Sequence, residues 1–80
     1  MKSVLEGDVI TLDNDEEYIC CSRLEDNNKV YLCLVSTFKP VEFRFAEELV
    51  EGDEVVLEII YDQDEKEHVL KLFNDKVLRG

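Results

Sequence analysis

His68, three cysteines (Cys20, Cys21 and Cys33) and twenty carboxylates are the side chains of this 80-residue chain that carry acid–base, nucleophilic or metal chemistry. Nucleophilic catalysis needs a base held against a hydroxyl or thiol, and a third group orienting the base. His68 is the only histidine and sits beside Glu65 and Glu67 in an acidic helix opening, so it reads as an exposed helix residue. A zinc site needs four ligands, and the cysteines have no CxxC spacing and lie far from His68. The run Asp13-Asn14-Asp15-Glu16-Glu17 superficially resembles a calcium loop, but it lacks the glycine at the sixth position and the bidentate glutamate at the twelfth. Three scattered glycines make no phosphate cradle. The expectation is a protein with no catalytic residues, no metal and no cofactor.

What remains is charge. Residues 45–65 hold nine carboxylates and no lysine or arginine, within a net charge of −11. Such a balance repels phosphate backbones and anionic lipid and attracts basic surfaces. The aromatics Tyr18, Tyr31, Phe38 and Phe43 have no basic groove beside them, so they read as core and edge residues rather than a base-stacking platform. The carboxylates expected to form one negative ridge are Glu47, Glu48, Glu51, Asp53, Glu54, Glu58, Asp62 and Asp64.

The elements that must position this ridge follow from the spacing of apolar residues. Hydrophobic residues make up 45% of the chain, enough to fold one small core despite the charge. Strands are predicted over 9–12, 17–24, 29–37, 41–45 and 54–61, with an Asn27-Asn28 hairpin turn between the second and third. In the fourth, Val41, Phe43 and Phe45 are expected to point inward and Glu42 and Arg44 outward. Residues 46–50 read as a helical turn or an irregular crossing. The third strand is apolar on both faces, with Val30, Leu32 and Leu34 on one and Tyr31, Cys33 and Val35 on the other, which places it centrally. Leu5-Glu6-Gly7-Asp8 and Val50-Glu51-Gly52-Asp53 echo each other as turns that launch strands. From Asp64 the period changes: Val69, Leu72, Phe73 and Val77 share a helical face, and Asp62 with Glu65, or Asp64 with Glu67, supplies a cap. The expected architecture is mainly β, an α+β domain spanning 1–80. A curled five-stranded antiparallel sheet (about 4–61), or a small SH3-like barrel, carries one C-terminal helix (about 64–77).

No stretch approaches the ~20 apolar residues of a membrane span, and no secretory leader follows Met1-Lys2. An odd number of cysteines without an export signal fits reduced thiols in a cytoplasm. Cys20 and Cys21, adjacent on a strand, are expected on opposite faces, as small core-filling hydrophobes.

The run Glu6-Gly7-Asp8-Val9-Ile10-Thr11-Leu12-Asp13-Asn14-Asp15-Glu16-Glu17-Tyr18, with Lys29-Val30-Tyr31-Leu32 and a terminal helix containing Leu72-Phe73, resembles a group of short acidic proteins of Firmicutes, their mobile elements and phages. The chain departs from that pattern at Cys20-Cys21 and at Phe38-Lys39-Pro40. The resemblance implies a bacterial or phage cytoplasmic origin and carries over no catalytic residue.

Together these readings lead to a non-enzymatic acidic module that docks a protein partner with a basic or partly apolar surface. It would bind neither nucleic acid directly nor membrane. A homodimer through an exposed strand edge is one form such binding would take. The alternative is a nucleic-acid mimic that inhibits a nuclease or DNA-binding protein, of anti-restriction or anti-CRISPR type.

Overall fold

The computed structural model describes residues 3–12 and 15–79; Asp13 and Asn14, and with them the centre of the calcium-like run, lie outside the described residues. Five strands follow in order: β1 (Val9–Thr11), β2 (Glu17–Asp26), β3 (Lys29–Ser36), β4 (Phe43–Glu51) and β5 (Glu54–Ile59). A single helix, α1 (Gln63–Arg79), ends the chain. Each strand pairs antiparallel with its sequence neighbour, giving the order β1-β2-β3-β4-β5 in one sheet curled into a half-barrel.

Local chemistry sets the turns. Asn27 and Asn28 have φ of 50° and 66°, the left-handed pair that a two-residue hairpin requires to match strand twist. Gly52, at φ 61°, turns β4 into β5. Gly7, at φ 93°, closes the turn in which the Asp8 N–H donates to the Leu5 carbonyl and the Leu5 N–H to the Asp8 carboxylate. The two echoed Glu-Gly-Asp segments therefore both precede strands, one entering from the N-terminal segment and the other joining a hairpin.

β3 is central and covered on both sides. Leu32 and Leu34 face the inside of the curl, where they join Val4, Tyr18, Cys20 and Ala46 in one buried cluster. Tyr31 faces the other side and packs with Ile60, Val69 and Phe73 of the helical layer, flanked by Leu24, Cys33, Phe45 and Leu72. Phe45 and Phe73 stack with ring centroids 5.7 Å apart. The helix begins where Asp62 Oδ2 accepts the Glu65 N–H at 2.9 Å, so the first of the two expected caps is formed.

Three expectations are corrected. Residues 46–50 continue β4 without a break, because Ala46, Glu47 and Glu48 pair in register with Leu32, Tyr31 and Val30. The strand begins at Phe43 rather than residue 41, and its inner face carries Arg44, Ala46 and Glu48; Phe43 is 62% exposed. Alternation reports which residues share a face but not which face is covered, and here the small Ala46 lies in the inner core while Phe45, not Phe43, packs beneath the helix. Val77, expected on the apolar helix face, is 77% exposed; in that turn it is Lys76 that reaches β2.

Candidate partner-binding face

The β4–β5 hairpin brings acidic residues into register. On the side of the sheet where the helix lies, Glu47 pairs across with Glu58, Leu49 with Val56, and Glu51 with Glu54. Directly opposite residues in an antiparallel pair have Cβ atoms about 4.5–5.5 Å apart, and like charges so placed destabilise the sheet. The outer face of the hairpin is thus a short ladder: a carboxylate pair, an aliphatic pair, a second carboxylate pair. Asp53 extends it into the exposed turn.

The helix entrance adds to the same end of the face. Tyr31 is buried, and its phenol is pushed above the ordinary value of 10.0 first by that burial; nearby Glu47, Glu65 and Asp26 add to the shift and Lys29 opposes it. Glu47 comes from β4, Glu65 from α1 and Asp26 from β2, so three separate elements contribute negative charge to the field at Tyr31.

Among the described residues, the ion pairs engage Arg23 with Glu48 and Glu25, Arg44 with Glu42, and Lys76 with Glu6. None reaches Glu47, Glu51, Asp53, Glu54, Glu58, Asp62 or Asp64. Asp62 is partly engaged as the helix cap, and Asp64 is exposed in the first helical turn.

Glu48 does not belong to this ridge. It is 8% exposed and points into the curl from the inner face of β4. Its Oε2 accepts a 2.7 Å bond from Arg23 Nη1, and its Oε1 accepts the Val4 N–H at 2.9 Å. Strand alternation explains the separation, since Glu47 and Glu48 are neighbours and must point to opposite sides.

A second feature had no counterpart in the sequence reading. Val9, Ile19, Val35 and Phe43 pair successively across β1, β2, β3 and β4. They form an apolar row on the helix side of the sheet, beyond the part the helix covers. Val9 and Phe43 are exposed and Val35 is half-buried. Once the strand registers are known, this row follows from alternation.

The thiols fall in two environments. Cys20 is buried in the inner cluster. Between Cys20 and Ser22 the β2–β3 register shifts, so Cys21 is an extra residue on β2, next to Cys33 on β3. His68 is exposed on the helix. Among the described residues, no group of three or more His, Cys, Asp and Glu side chains is arranged to hold a metal ion. No helix among them is long and apolar enough to cross a membrane. The chain matches no protein-family model, no curated protein and no solved structure.

Proposed function

We propose that this protein is a non-enzymatic acidic binding module that receives a basic segment of a partner protein on the outer face and free edge of β5. The observation that carries this reading is the pair of in-register carboxylate couples, Glu47/Glu58 and Glu51/Glu54, with no ion pair among the described residues. Each couple opposes its own strand pairing. A bound cation between the members would relieve that repulsion, so binding energy would recover what folding gives up.

The edge supplies the geometry. β5 ends the strand order and pairs only with β4 among the described residues, so its other edge is where an added strand would pair. A strand of the pattern basic-x-aliphatic-x-basic, its cations four residues apart on one face, would match Glu54, Val56 and Glu58. The aliphatic pair Leu49/Val56 between the two charge couples favours a protein segment over the nucleic-acid-mimic alternative, because a surrogate for a phosphate row has no use for a greasy rung. Self-association through β5 would place Glu54 and Glu58 against their own copies, and like charges oppose it.

The test is affinity capture at low and high salt with the full chain and with a Glu51→Lys/Glu54→Lys/Glu58→Lys variant. A binder held at low salt by the parent chain, released by salt and missed by the variant supports the reading. Identical capture by both chains ends it. Competition of that binder with duplex DNA would move the assignment to the mimic.

A further inference from the structure

The bulge in β2 has a chemical consequence. An extra residue in one strand turns side chains that regular alternation would separate toward the same cross-strand neighbour. Here the Cys21 thiol donates to the Cys33 carbonyl oxygen at 3.2 Å, which seats its sulfur against the residue opposite the bulge. Cys21 is exposed, Cys33 is half-buried beneath the helical layer, and Cys20 is turned away into the inner cluster. One accessible thiol therefore sits against the residue that carries a sheltered one, with the third turned to the other side of the sheet.

We infer that Cys21 and Cys33 form a thiol–disulfide exchange site, in which Cys21 is modified first by a low-molecular-weight disulfide and Cys33 resolves the adduct. In the first step the Cys21 thiolate attacks one sulfur of the small disulfide. A Cys21–sulfur bond forms, the disulfide bond breaks, and the leaving thiolate takes up a proton. In the second step the Cys33 thiolate attacks the Cys21 sulfur and expels the second small thiol. The protein loses two electrons and two protons, and the small disulfide is reduced to two thiols. Burial, then the hydrogen bond with Cys21, pushes the Cys33 thiol up to about 12, so the second step is the slower one.

The site also touches the helix anchor. Lys76 donates to Ser22 Oγ at 3.4 Å and to the Arg23 carbonyl, the residues that follow Cys21. Closure of the thiol pair would fix the strand segment on which the helix end rests.

The test treats the folded, reduced chain with oxidised glutathione and follows it by intact mass and peptide mapping. The expected course is one glutathione adduct on Cys21, replaced in time by a Cys21–Cys33 disulfide. Cys33→Ser should trap the adduct, and Cys21→Ser should abolish it. Mapping of the parent chain decides the matter even if Cys33→Ser folds poorly. First modification at Cys20 or Cys33, a Cys21 adduct that never resolves in the parent chain, or no reaction at all would overturn the inference.

Discussion

Arg23 Nη1 lies 2.7 Å from Glu48 Oε2 inside the curl of the sheet, and the same nitrogen donates to the Val4 carbonyl at 2.9 Å. Glu48 in turn accepts the Val4 N–H, so one ion pair holds both backbone groups of Val4. This clamp seats the N-terminal segment over the inner cluster. The Glu48 carboxylate is almost fully enclosed and the Arg23 side chain is 20% exposed. Removing one partner leaves the other buried and uncompensated. Arg23→Ala and Glu48→Gln should each lower unfolding free energy by about 3 kcal/mol. Urea unfolding checks this, and the double change Arg23→Met/Glu48→Met should recover only part of the loss, because the Val4 N–H and carbonyl lose their partners.

The carboxylate couples predict a gain in stability at the expense of binding. Glu51→Lys turns the Glu51/Glu54 couple into an opposite-charge pair and should raise stability by about 0.5 kcal/mol. Glu58→Lys should do the same against Glu47. Added salt should stabilise the parent chain more than either variant, since screening relieves repulsion. Equal or lower stability for both variants would mean that the couples are not repulsive.

Much of the fold was written in local chemistry. Asn27-Asn28 and the doubly apolar third strand each have one physical solution, and the structure adopts it; of the two caps the sequence offers, the Asp62 one forms. The candidate face was legible only as composition. Glu47 and Glu48 look alike in the sequence, and their opposite fates depend on which side of β4 is covered, a tertiary fact. The closeness of Cys21 and Cys33 was hidden for a related reason: alternation is a rule for regular strands, and the register shift after Cys20 breaks it. The apolar row of Val9, Ile19, Val35 and Phe43 needs four strand registers at once, which no single segment reveals.

The helix is held by its aromatic contact rather than by its exposed apolar tail. Phe73 is buried and stacked on Phe45, so Phe73→Ala should cost about 3–4 kcal/mol. Leu78 is 84% exposed, and Leu78→Ala should change stability by less than about 0.5 kcal/mol. Thermal or urea unfolding of both variants makes the comparison.

Stability should fall at both ends of the pH scale. The hydrogen bond from Lys76, then one from the Arg23 backbone, holds the Glu6 carboxyl below its ordinary 4.5. A lowered folded value means the contribution is present above 4.5 and lost as pH falls through the folded value. Hydrogen exchange near Lys76 should therefore quicken in acid while the sheet stays protected. Burial pushes the Tyr18 and Tyr31 phenols above 10.0, so their contribution is complete below 10.0 and lost as pH rises through the folded values. Alkaline unfolding followed by tyrosinate absorbance should show both rings ionising together with loss of structure.

The central claim is that the acidic hairpin face and the open β5 edge form a receiving site for a basic segment. Its most direct test is a residue-resolved NMR titration with a short peptide repeating Lys-Ser-Val-Ser, which places lysine and valine alternately on one strand face, at low and physiological salt. The account predicts shifts confined to residues 47–58 that weaken with salt and vanish in the Glu54→Lys/Glu58→Lys variant. Perturbations centred on the inner cluster or on α1, or binding indifferent to those reversals, would contradict it.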